Sequence, residues 1–87
     1  MINMNTFVFI LTDKTRELEI MIYRNECGFL GTQNILNDKQ LVYYEIYDSL
    51  SDAVVRKNTI ESWPEKKIKF LINFVNPLWV DWKEEIK

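Results

Sequence analysis

The side chains able to do chemistry in this chain are few in kind. Its 87 residues include no histidine and a single cysteine, Cys27. A histidine general base, a Ser-His-Asp triad, zinc centres of the usual Cys/His types and an intrachain disulfide are therefore excluded. Cys27 reads as an inert, buried or half-buried thiol. Cationic side chains gather at Lys57 and in the run 65–69, where Lys66, Lys67 and Lys69 make the one locally basic stretch. Lysines so placed can hold phosphates by charge, and a solvated helix face explains the same run without a ligand. Trp63, Trp79 and Trp82, with Phe70 and Phe74, offer rings on which bases could stack. In a small acidic chain those rings are expected to form the core and its lid.

Composition bounds the elements that carry these residues. Apolar residues make up 47% of the chain, enough for one dense core, and the whole of 1–87 reads as a single domain. Thirteen acidic and eleven basic residues leave a net charge of −2. That balance argues against a general affinity for phosphate backbones, which needs an excess of Lys and Arg. The apolar run 7–11 has no basic lead-in and is too short for a signal peptide or a membrane span, so a soluble cytoplasmic protein without membrane attachment is expected.

The pattern along the chain gives the elements themselves. Residues 7–11, FVFIL, are apolar on both alternating faces, the mark of a strand covered on both sides and so the expected centre of a sheet. A polar turn at 12–16 leads to Leu18, Ile20 and Ile22, which alternate with Glu19, Met21 and Tyr23 in a second strand. Residues 41–47, rich in aromatic and β-branched side chains, make a third. Asp48, Ser49 and Ser51 offer N-cap oxygens to a helix reaching about Ser62. Pro64 opens a second helix where its missing N–H costs nothing, and Pro77 ends it near Val75 by disfavouring helical geometry at Asn76. Residues 24–40 are expected to be loop with at most one or two short turns. The fold class is α+β: a three-stranded antiparallel sheet flanked by short helices, with the C-terminal helical pair packed on it. Helical spacing puts Leu50, Ala53, Val54, Lys57, Ile60 and Glu61 on one face, expected to turn to the sheet with Lys57 in its middle. Tyr43, Tyr44 and Tyr47 are expected to pack across the sheet.

The stretch 41–82 resembles the C-terminal half of the small stand-alone proteins of the GIY-YIG endonuclease superfamily. Their pattern runs LVYYE-x-(F/Y)-D, then A-x-x-R-E-x-x-I-K-x-W, then K-K and N-P-x-W. It is matched here without a gap by LVYYE at 41–45, Tyr47, Asp48, Ala53, Arg56, Ile60, Trp63, Lys66, Lys67, Asn76, Pro77 and Trp79. More weakly, FVFILT at 7–12 resembles the family strand YVYILT, and ELEIMI at 17–22 resembles TLYIGV.

What the resemblance implies is the GIY-YIG fold and cleavage of nucleic acid, and its departures imply that cleavage is lost. The functional tyrosine of the first family strand falls on Phe9, which keeps the ring without the hydroxyl that could act on a nucleophilic water. The second tyrosine falls on Glu19, and the glycine two residues later on Met21. The metal-binding glutamate falls on Lys57, whose ammonium repels the Mg²⁺ that a carboxylate would hold. Asn76 alone is kept, and an asparagine before proline is also an ordinary helix stop. The family's arginine, carried on a helix after the second strand, would stabilise the charge added at the scissile phosphate. That region looks shortened here, and Arg24, its sole arginine, ends a strand, so the role is not assigned to it.

The expectation is a GIY-YIG-like domain without catalysis or cofactor, acting as an interaction or regulatory module toward a protein partner. Two alternatives stay open. One is a nucleic-acid-binding protein that no longer cuts, holding phosphates with Lys57, Lys66, Lys67 and Lys69. The other is a divergent endonuclease using Mg²⁺ on carboxylates relocated to Glu19 and Glu61.

Overall fold

The computed structural model describes residues 6–24 and 39–82. The expectations for Cys27 and for the loop at 25–38 lie outside the described residues. Strands β1 (Thr6–Thr12), β2 (Leu18–Arg24) and β3 (Gln40–Tyr47) form an antiparallel sheet in the order β2-β1-β3. Helices α1 (Leu50–Glu61) and α2 (Glu65–Val75) follow and pack on it, the expected α+β arrangement. The apolar run does take the centre: all seven residues of β1 are buried. The turn after it is held by Asp13, whose Oδ1 accepts the backbone N–H of Thr15 at 2.8 Å and its hydroxyl at 2.5 Å.

Because successive strand residues point to opposite faces, β1 feeds two separate clusters. Val8 and Ile10 meet Val42, Tyr43, Ala53, Ile60, Ile68 and Ile72 beneath the helices, with Leu18, Ile20 and Ile22 of β2 beside them. Phe7, Phe9 and Leu11 join Leu41 on the other face, where Met21, Tyr23, Tyr44 and Trp82 pack against them. Phe9 and Tyr23 lie with ring centroids 5.7 Å apart and planes 12° apart, an offset aromatic pair of the kind favoured by the ring quadrupole.

Local chemistry sets the helix ends. Ser49 is the N-cap of α1, its hydroxyl accepting from the Asp52 amide at 3.1 Å and satisfying a donor that the first turn leaves free. Pro64 is extended (φ −59°, ψ 147°) and stands at the N-cap of α2, which ends at Val75 ahead of Asn76 and Pro77 as the proline requires. Between Ile10 and Leu11 the register of β1 with β3 shifts, so that Val42 is the extra residue of a bulge. Asn76, buried at the end of α2, donates from Nδ2 to the Val42 carbonyl and to the Val80 carbonyl, both at 2.9 Å, and its Oδ1 accepts the Val80 amide at 3.0 Å. The chain then runs along the outer edge of β3, where Asp81 accepts the Leu41 amide and the Trp82 amide donates to the Leu41 carbonyl.

Two expectations about packing are corrected. Phe70 and Phe74 are not core: they are 70% and 78% exposed, while Trp63, Trp79 and Trp82 are half-buried. Helix α2 buries Ile68 and Ile72, and at 3.6 residues per turn a side chain two residues away points about 200° round the axis. Likewise α1 buries Ala53 and Ile60 but leaves Leu50 and Val54 exposed, so Lys57 sits at the margin of the inward face and not in its middle. A pair of substitutions separates the two sides of α2. Ile72→Ala should cost about 3 kcal/mol by leaving a cavity, lowering the melting temperature by more than about 10 °C. Phe74→Ala should stay within about 0.5 kcal/mol of the parent; calorimetric melting of both variants checks this.

Candidate functional site

The most strongly coupled polar group lies on β3. Alternation places Tyr43, Glu45 and Tyr47 on the face covered by α1, with Glu45 opposite Val8 in the register. A carboxylate in that position loses water and must be given donors. It receives them from both neighbours on the strand and from the helix. Tyr43 donates to Oε2 at 2.5 Å and Tyr47 to Oε1 at 2.7 Å. Arg56 closes a two-pronged pair, with Nε at 2.9 Å from Oε1 and Nη2 at 3.0 Å from Oε2. The Arg56 guanidinium also lies 5.1 Å from the centroid of the Trp63 ring, and Lys67 Nζ lies 4.3 Å from it, so one indole bears two cations.

The electrostatics follow from that arrangement. Burial opposes ionisation of Glu45, but the hydrogen bonds from Arg56, Tyr43 and Tyr47 outweigh it and hold the carboxyl below its usual range. Burial first, then the hydrogen bond to Glu45 and after it the Glu45 charge, push the phenols of Tyr43 and Tyr47 up. Hydrogen bonding to Glu45 raises Arg56. A carboxylate with every direction occupied and phenols held protonated form a tie between strand and helix rather than a proton-transfer device. All four residues of the tie belong to the motif stretch, yet from sequence Tyr43 and Tyr47 carry only packing, and Glu45 and Arg56 only a match to the resembling pattern. The available signal was the i, i+2, i+4 spacing of Tyr43, Glu45 and Tyr47; the partner, eleven residues on, depends on the direction in which α1 leaves the sheet.

The positions singled out from sequence are not gathered into one site. Phe9 and Met21 face each other across β1 and β2, and Glu19 is the next residue of that face. Phe9 is fully buried and Met21 half-buried, while Glu19 is exposed and paired with Lys39 at 2.7 Å. Lys57 belongs to α1, which covers the opposite face, and its Nζ meets Glu61 Oε1 at 2.9 Å. Glu19 and Glu61 are therefore tied to separate lysines on different sides of the sheet, and the geometry does not assemble the relocated carboxylate pair. Among the described residues, no group of three or more His, Cys, Asp or Glu side chains is placed to hold a metal ion. Asn76 has both amide hydrogens and its oxygen engaged with backbone. Arg24 ends β2 as read from sequence.

The basic stretch is likewise divided. Lys69 pairs with Glu65 at 3.4 Å, Lys57 with Glu61, and Lys67 lies on Trp63; Lys66 is exposed. Beside Trp63, an open recess of about 340 Å³ is lined by Glu17, Leu18, Glu65 and Ile68. Two carboxylates at its wall repel a phosphate. Arg16 lies over the face of Trp79 at 5.5 Å from the ring centroid.

Compared with models of known families, with curated proteins and with solved structures, the chain finds no match in any of the three. No helix among the described residues is long and apolar enough to cross a membrane.

The Glu45–Arg56 pair makes a prediction with a defined sign. A carboxyl whose folded pKa is depressed contributes stability above its ordinary value near 4.5 and loses that contribution as pH falls through the folded value. Arg56→Met should cost about 1–3 kcal/mol at pH 7 by leaving a half-buried carboxylate short of its cation. The gap between parent and variant should narrow towards pH 3. Urea denaturation at pH 7 and pH 3 measures both, and a gap that does not change with pH would show that the ion pair is not its source.

Proposed function

We propose that this chain is a GIY-YIG-like domain that has lost nuclease activity and serves in the cytoplasm as an interaction or regulatory module. The observation that carries the reading is at Lys57. Where the resembling pattern has its metal-binding glutamate, an ammonium occupies the helix and is bonded to the nearest carboxylate, Glu61. A Mg²⁺ ion there would have to displace a cation that is fixed by a covalent stem, and one shared carboxylate is too little oxygen for it. The residues present do not fit the metal. The ring at Phe9, fully buried and stacked on Tyr23, adds that the position has no hydroxyl and no open path to a water.

The three-stranded antiparallel sheet followed by two helices is the α+β arrangement that the strand and helix patterns predict, and the reading needs no other. Binding of nucleic acid without cleavage is the second reading. It has less behind it, since two of its four lysines are neutralised by glutamates one helical turn away.

Labelled DNA and RNA incubated with the purified chain, with Mg²⁺ or Mn²⁺ against EDTA, should remain uncut in both conditions. Metal-dependent cleavage would overturn the proposal. Binding that weakens steeply with salt and is reduced by combined Lys66→Ala and Lys67→Ala replacement would move the conclusion to the phosphate-holding alternative.

A further inference from the structure

The solvent side of α2 carries an apolar strip that no other described element covers. Phe70 and Phe74 are one helical turn apart on the side opposite Ile68 and Ile72, and Leu78, just past the helix end, is 83% exposed. Lys66, exposed, continues the i, i+4 row of Phe70 and Phe74 at its N-terminal end, while Lys67 beside it lies on Trp63. The two ends of α2 differ in charge. Glu65 stands in the first turn, but the last turn has no basic residue to meet the negative end of the helix dipole.

We propose that this strip binds the same strip of a second copy of the chain, α2 against α2, antiparallel about a two-fold axis level with Ile72. That register sets Phe70 of one copy against Phe74 of the other, and the reverse, so the contact closes on itself as an isologous interface does. It also brings Lys66 of each copy to the C-terminal end of the other's α2, supplying the cation that end lacks. The Lys66 positions of the two copies stay about 18 Å apart along the axis, well beyond the ~8 Å over which like charges act in physiological salt. A second copy is the occupant because the helix is complementary to itself in this direction, in charge and in ring placement together.

Area sets the strength. Two phenylalanines and a leucine so exposed offer on the order of 400 Å² per copy, about half of the ~800 Å² per partner in a standard stable interface. An interface of that size falls in the weak, transient class, so the pair is reversible and forms only as concentration rises. This pairing goes beyond the loss of catalysis and does not depend on it: a chain that cuts nucleic acid could pair, and one that does not could stay single.

Sedimentation of the full chain over roughly 5–500 μM tests it. The weight-average mass should rise from 10.5 kDa toward twice that value as concentration increases. Phe70→Lys and Phe74→Glu should each weaken the dimer at least about tenfold, and because both sites are exposed, their circular dichroism and melting should match the parent. The register has its own test in an equimolar mixture of the two variants. In the mixed pair the new ammonium and new carboxylate face each other, and the other contact keeps both phenylalanines, so association should return. A parent that is monomeric throughout, variants that associate as the parent does, or a mixture that stays monomeric would each overturn the pairing.

Discussion

Every residue of β1 is buried, and most of the architecture answers to that constraint. A strand with apolar side chains on both faces needs flanking strands for its backbone and a cover for each side. Here β2 and β3 take the backbone bonds, and the first cover is the helical pair over Val8 and Ile10. On the second face the described cover is largely aromatic, with Tyr23, Tyr44 and Trp82 around Phe7 and Phe9. Trp82 can reach that face only because the chain after α2 turns back along β3. Asn76 fixes this return through three hydrogen bonds, one of them to the bulge at Val42. The same segment supplies the outer edge of β3 with bonds at Leu41, so the strand does not present that part of its backbone as a template for further pairing.

Apolar contacts hold such a sandwich together without specifying how α1 lies on the sheet. Glu45 supplies that specification. A carboxylate opposite Val8 is tolerable only if its donors arrive in the right places, and three of them come from different residues of β3 and α1. Sliding α1 by one turn would leave Arg56 out of reach and Glu45 without its cation. Trp63 extends the tie, because its ring takes Arg56 from α1 and Lys67 from α2. The Tyr-Glu-Tyr spacing on the strand and the Arg, Trp and Lys beyond it thus form one connected network across three elements.

Signals that act locally could be read from the sequence with little loss. Two-faced apolarity located β1 at the centre, Asp48, Ser49 and Ser51 marked the start of α1 that Ser49 caps, and Pro64 and Pro77 bracketed α2. What could not be read was which stripe of a helix turns inward. Helix α2 carries Ile68, Phe70, Leu71, Ile72, Phe74 and Val75, so apolar side chains occur around most of its circumference and periodicity gives no single answer. The sheet selects Ile68 and Ile72, and the phenylalanines are left outside. Asn76 shows a different limit. A helix stop before proline was legible, but the bond to Val42 spans thirty-four residues and depends on a bulge that no local pattern announces.

The positions at which the resemblance would look for chemistry each have a structural contact of their own. At Phe9 the ring has no exposed surface and sits against Tyr23, so a hydroxyl there would enter an apolar cluster and require a partner of its own. At Lys57 the ammonium joins Glu61 across one turn, so a glutamate in its place would set two carboxylates at i and i+4, a repulsive pair in the absence of a cation. Glu19 is bound to Lys39 on the side of the sheet away from α1. These three side chains lie in different local environments, and each meets a different neighbour. Changing any one of them toward the resembling pattern would break the contact it makes without bringing the other two closer. The contacts at Phe9, Lys57 and Glu19 are thus independent of one another, and each side chain is accounted for by its own neighbour: Tyr23, Glu61 and Lys39.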